Sequence, residues 1–143
     1  MNMENGPNIG GKIIDKSYFD QNGNEIIIKN NTILFFISIY CVRCIQIMPF
    51  IKKISNSKKV DFVLFSNGSH EDHKEMISRF KWKFPIIAID DEHLERDFFI
   101  KTHPFFLIVD NFQTVYKKGT INNLEELKSI FHQKKGIEMQ LSK

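Results

Sequence analysis

Two cysteines, one tryptophan and four prolines are all that 143 residues hold of the types that most often staple or break a fold. Two cysteines cannot build a framework of several disulfide bridges. There is no second Cys-x-x-Cys and no His-x-x-Cys, so the set of about four ligands that structural zinc needs is missing as well. No apolar run approaches the roughly 20 residues that cross a bilayer, and no membrane partner is expected. Lys+Arg of 20 against Asp+Glu of 17 gives a net charge of only +3. The basic residues cluster in nothing longer than pairs such as Lys52-Lys53 and Lys134-Lys135, so the charge reads as a solvated surface and not as a nucleic-acid footprint. Repeats, linkers and low-complexity tracts are also lacking. Gly6-x-x-x-x-Gly11-Lys12 imitates a phosphate loop, but Ile13 stands where Ser or Thr is required and no strand precedes it. Met1 to Pro7 carries neither the basic nor the apolar region of a signal peptide, and the expected address is cytoplasmic.

What is there is apolar. The hydrophobic fraction is 42%, with fourteen Phe, enough for a real core and too much for disorder. A single domain over 1–143 is expected, with 1–12 flexible and 134–143 frayed. Ile13 to Phe19 and Glu25 to Ile28 predict a hairpin across Asn22-Gly23. Thr32 to Tyr40 is nearly continuous in apolar character, as in a central strand covered on both faces. A helix from about Val42 to Asn56 should kink at Pro49. Val60 to Phe65 predicts a second buried strand. Ser69 should cap a helix to about Lys81, and Pro85 to Ile89 is a short extended piece. Asp90 or Asp91 should cap a helix to about Ile100. Pro104 to Val109 and Gln113 to Lys117 predict a hairpin across Asp110-Asn111, and Asn122-x-x-Glu125 resembles a capping box opening a last helix.

Both cysteines fall in one motif, Cys41-Val42-Arg43-Cys44, between the β-branched run ending at Tyr40 and the helical spacing that begins at Ile45. A thiolate at a helix N-terminus is stabilised by free N–H groups and the positive dipole end. Cys41 is therefore the expected nucleophile. Cys44 lies one turn further on, placed to close a disulfide with Cys41 and release a bound partner. Arg43 is either a solvated helix residue or a charge that further favours the Cys41 thiolate. A pair at i, i+3 on the next helix, His70 and His73, could chelate a metal but reads more simply as a solvated turn.

Strand, Cys-x-x-Cys and helix, with Tyr40 before Cys41, Pro49 five residues after Cys44, and Thr102-His103-Pro104 leading into Phe-Phe-Leu-Ile-Val-Asp110, resemble the thioredoxin fold in its TlpA/redoxin branch. The segment ending in Phe84-Pro85 is similar to the helix-bearing insertion of TlpA and peroxiredoxin relatives, and Tyr18 to Glu25 is similar to the redoxin opening hairpin. The resemblance covers about Ile13 to Phe131. It implies an α/β fold, a central mixed sheet flanked by helices, with Pro104 in cis. It also implies thiol–disulfide exchange without a cofactor or bound metal. A cysteine-containing peptide or protein would be the substrate, with a redox-recycling partner. Cys41 would be the nucleophile and Cys44 the resolving residue, while Tyr40, Val42, Arg43, His103 and Pro104 would tune the pair or line the substrate groove. Val-Arg replaces thioredoxin's Gly-Pro, and no carboxylate lies behind the cysteines on the central strand.

If Arg43 and a charged His103 both favour the thiolate, the poise is oxidising, and oxidase or isomerase outranks reductase. Maturation of a small secreted peptide would suit such a site. Two alternatives share the residues. Cys41, Cys44 and His103 could carry Cu(I) or Zn. A peroxiredoxin-like peroxidase is half met, with Ser38 three residues before Cys41 but Leu34 where a proline belongs.

Overall fold

A computed structural model describes residues 5–13, 17–29, 31–56, 60–123, 125, 126 and 129. The expected frayed end at 134–143 and most of the last helix lie outside these residues.

The central strand β3 (Thr32–Ile37) is buried at every position. It pairs in parallel with β4 (Asp61–Ser66) and antiparallel with β6 (Phe105–Val109). Beyond β4 lies β5 (Ile86–Ala88), parallel to it, and beyond β6 lies β7 (Val115–Thr120), antiparallel, so the five-stranded order is β5-β4-β3-β6-β7. The piece at 85–89 is thus an edge strand of the sheet. The hairpin of β1 (Ser17–Phe19) and β2 (Glu25–Ile27) forms a separate two-stranded sheet.

Alternation along β3 divides the core in two. Ile33, Phe35 and Ile37 face one layer, built from α1 (Val42–Ile47), a 3₁₀ turn (Met48–Phe50), α2 (Ile51–Ser55) and α3 (His70–Phe80). Leu34 and Phe36 face the other, covered by α4 (Asp91–Phe98) and the hairpin. Successive side chains of a strand point to opposite faces, so a continuous apolar run is what a doubly covered strand requires. The second layer is an aromatic stack: Phe36 lies on Phe65 at 4.8 Å, with Phe98 at 5.1 and 5.2 Å from their rings.

Pro49 lacks an N–H and cannot continue an α-helix, and the helix after the cysteines breaks there into α1, the turn and α2. Ser69 caps α3 in a reciprocal box with Asp72, and Asp90 caps α4 through the His93 N–H. The last strand starts later than the sequence suggests. Gln113 takes a left-handed conformation (φ 64°) inside a turn that Asp110 closes onto Gln113 and Thr114, so β7 begins at Val115.

Residues 5–12 lie against the sheet edge and the loop before Pro104. Gly6 donates to the Phe99 carbonyl at 2.7 Å, Gly10 to that of Val115 at 2.8 Å, and Val115 donates back to Gly11. Asn5 takes the Lys101 N–H at 2.7 Å. Polar and glycine-rich composition suggests a loose tail, but these backbone groups find partners on the sheet edge and on the loop before Pro104. Among the described residues no helix is long and apolar enough to cross a membrane.

Candidate functional site

β3 and β4 end level, Ile37 opposite Ser66, and the loops that follow them emerge side by side. After Ile37 the chain turns, because the Ser38 N–H points at the Cys44 sulfur (3.4 Å) instead of to a neighbouring strand. Cys41 then sits at the N-cap of α1. Its sulfur accepts the Cys44 N–H at 3.3 Å and lies 3.6 Å from the His103 carbonyl oxygen, to which its thiol donates. Both cysteines are free thiols, Cys41 half-buried and Cys44 fully buried. Burial, followed by the hydrogen bond with Cys41, pushes the Cys44 thiol well above the ordinary range, because the low-dielectric interior penalises the thiolate. The pair is asymmetric: one sulfur reachable, the other protonated and covered.

His103 and Pro104 close the site from the start of β6, and the peptide bond between them is cis. Pro104 is buried. The imidazole of His103 does not serve as the charged neighbour expected from the sequence. It is mostly buried, and its Nε2 lies 3.9 Å from an Asp91 carboxylate oxygen without a hydrogen bond among the described residues. Burial lowers its proton affinity, only partly offset by Asp91. The neutral form therefore dominates near neutrality, and it is the backbone carbonyl that meets Cys41.

Arg43 also differs. It is exposed, and its guanidinium donates to the Asn122 side chain at 3.2 Å, beside Glu126, which accepts the Asn122 N–H. The hydrogen bond from Arg43 ties the segment after β7 to α1. Tyr40 and Val42 flank Cys41 as open apolar surface, 83% and 67% exposed, continued by Ile45 at 52%. From there a groove of about 240 Å³ runs between α1 and α3, past Ile39, Met48, Met76 and Phe80.

The metal-carrier alternative loses its ligand set. Among the described residues no three His, Cys, Asp or Glu side chains gather as a metal site, since His103 turns toward Asp91. His70 is exposed as expected. His73, read as part of the same solvated turn, is instead buried against Gly68, its Nε2 without a partner among the described residues. The Ser38 hydroxyl, which a peroxidase reading would keep for peroxide, takes the Asn67 amide at 2.8 Å and the Tyr40 N–H at 3.2 Å. Asn67 and Asp91 belong to this site; Asn67 carried no sequence signal and Asp91 only that of a helix cap, and they are brought here by the level ends of β3 and β4 and by the start of α4.

No family profile matches the chain. It is 25% identical over 134 residues to the methylamine utilization protein MauD of Paracoccus versutus, covering 91% of this chain and 68% of that protein. The chain spans about two thirds of the length of the curated relatives it matches. Among solved structures, a candidate protein disulfide isomerase from Bacteroides thetaiotaomicron superposes with a TM-score of 0.78 at 17% identity, covering 99% of this chain and 96% of that one. The thioredoxin domain of a thiol-disulfide oxidoreductase from Bacteroides vulgatus superposes with a TM-score of 0.71 at 17% identity, covering 89% and 97%. The chain has a thioredoxin-like fold.

Proposed function

We propose that this thioredoxin-fold chain is a thiol–disulfide oxidoreductase that works through Cys41 and Cys44 on cysteine-containing proteins or peptides. The observation that carries the reading is the asymmetry of the pair: Cys41 is reachable and held between the Cys44 N–H and the His103 carbonyl, while Cys44 lies covered behind it.

In the reducing direction, the Cys41 thiolate attacks one sulfur of a substrate disulfide, and the other leaves as a thiolate. Cys44 then gives up its proton and attacks the Cys41 sulfur. The internal disulfide forms, the second substrate sulfur departs, and two electrons have passed to the substrate. A redox-recycling partner restores the dithiol by the same steps in reverse order. Tyr40 and Val42 form the apolar rim that meets the substrate, beside the His103 carbonyl that precedes buried Pro104. No cofactor is part of this scheme.

The direction of flow follows from what surrounds the sulfurs. The oxidase or isomerase preference rests on two cations at Cys41. Arg43 keeps its charge but directs its guanidinium to Asn122, and burial favours the neutral form of His103. With neither placed as a charge on the sulfur, we put the poise nearer to thioredoxin's, about −270 mV, than to that of the strong oxidants. The name of the relatives suggests a substrate connected with methylamine utilisation, and maturation of a secreted peptide is the alternative. The exchange needs only a partner of matching potential, so the expected cytoplasmic address is a separate question, answered by cell fractionation.

Insulin reduction driven by dithiothreitol tests the activity. Wild-type protein should accelerate precipitation of the insulin B chain, and Cys41→Ser should abolish the acceleration. Wild type no faster than dithiothreitol alone would remove the proposal.

A further inference from the structure

We propose that Asn67 is a positioning residue for the resolving step: it holds the loop before Cys41 so that the Ser38 N–H faces the Cys44 sulfur when that sulfur must carry charge. The inference rests on the oxidoreductase reading and adds to it a residue outside the Cys-x-x-Cys motif.

Asn67 follows directly on β4, half-buried beside the loop that leaves β3. Its Oδ1 accepts the Ile39 N–H at 2.9 Å. Its Nδ2 donates to the Ser38 hydroxyl at 2.8 Å and to Asp91 Oδ1 at 3.3 Å. The same hydroxyl takes the Tyr40 N–H at 3.2 Å. One amide therefore fixes three consecutive loop residues, two directly and Tyr40 through Ser38. The backbone of that loop serves both cysteines. The Ser38 N–H points at Cys44 Sγ, 3.4 Å away, and the Ser38 carbonyl takes the Cys41 N–H at 3.2 Å. Asp91, the first residue of α4, carries the tie onward to that helix. Asn67 thus ties the loop before Cys41 to the start of α4.

The resolving step is where such a device matters. Cys44 is fully buried, and to attack the mixed disulfide it must become a thiolate where charge is costly. The one carboxylate buried among the described residues, Asp97, is on α4 in the other layer, hydrogen-bonded by Tyr18. The Ser38 N–H is a preset dipole aimed at the developing charge, and in a low-dielectric site such a donor is worth more than in water. Its value falls steeply with distance and angle. Asn suits the position because the site asks for one acceptor and two donors on a short side chain: Asp has no N–H to give, and Ala has neither group.

The test uses stopped-flow reaction of reduced full-length protein with excess dithiobis(nitrobenzoate). Cys41 thiolate attacks the reagent, releases one nitrothiobenzoate and keeps the other in a mixed disulfide. Cys44 loses its proton and attacks the Cys41 sulfur, the internal disulfide forms, and the second nitrothiobenzoate is released. The dithiol's two electrons have reduced one reagent disulfide. In Asn67→Ala the second phase should slow about tenfold, the scale of losing an oriented hydrogen bond to a charged group, and the first phase far less. Ser38→Ala, which keeps the backbone N–H but removes the hydroxyl that Asn67 grips, should slow the second phase as well. The double variant should be no slower than the slower single, as for residues acting through one contact. An unchanged second phase in Asn67→Ala, equal slowing of both phases, or additive effects in the double variant would overturn the assignment. Wild-type protein that ends with nitrothiobenzoate still attached by mass, and no internal disulfide, would overturn the oxidoreductase reading itself.

Discussion

The carbonyl oxygen of His103 lies 3.6 Å from the Cys41 sulfur, while the imidazole of the same residue turns to Asp91. His103 therefore meets the reactive sulfur with its backbone, and its side chain belongs to the scaffold around it.

The first prediction concerns redox poise. His103→Ala and Arg43→Ala should each move the reduction potential by less than about 30 mV, the equivalent of tenfold in the exchange equilibrium. Equilibration in glutathione buffers measures this. A drop of more than that in either variant would return the residue to the role of a thiolate-stabilising cation.

Stability should fall on mild acidification. Burial lowers the proton affinity of His73 and of His103 below the ordinary histidine value near 6.5. Well above pH 6.5 both native and unfolded chains hold them neutral, so nothing is gained or lost. Below it the unfolded chain takes protons first, and stability declines until the native histidines also protonate. Asp72, Asp90 and Glu126, lowered chiefly by hydrogen bonds from backbone N–H groups, lose their contributions only further down, below about pH 4. Urea midpoints between pH 7.5 and about 5 should thus decrease, and His73→Gln should flatten the slope. An unchanged slope in that variant would contradict the burial argument.

The apolar rim predicts a difference between large and small substrates. Tyr40→Ala or Val42→Asp should raise the KM for insulin about tenfold, the cost of an exposed aromatic or aliphatic anchor at a contact. The rate with a small aromatic disulfide should change far less. Equal losses with both substrates would indicate damage to the cysteine pair and not loss of a docking surface.

How much was legible in the chain depends on the range of the interaction. Pro49 announced its own break, because a missing N–H acts locally. Ser69 and Asp90 announced α3 and α4 through short-range caps. The continuous run at Thr32 announced a doubly covered strand, but not that it would stop at Ile37. That end is set by the Ser38 N–H turning to Cys44, a contact six residues away. Arg43 reads as a neighbour of Cys41 in sequence, yet its guanidinium meets Asn122, 79 residues on. Asn67 stands in no motif and follows an ordinary apolar strand. Its place beside Ser38 exists only because β3 and β4 pair in parallel and end level. The cysteines of the site were visible in the sequence, and the polar frame that aims them was not.

Trapping the intermediate on Cys41 tests the central claim most directly. Reduced Cys44→Ser protein is mixed with an oxidised cysteine-containing peptide, and the product is mapped by mass spectrometry. A stable one-to-one mixed disulfide on Cys41, absent from Cys41→Ser and resolved within the mixing time by wild type, is the expected result. No adduct in Cys44→Ser, or an equal adduct on Cys44 in the Cys41→Ser protein, would contradict the division of labour between the reachable sulfur and the buried one.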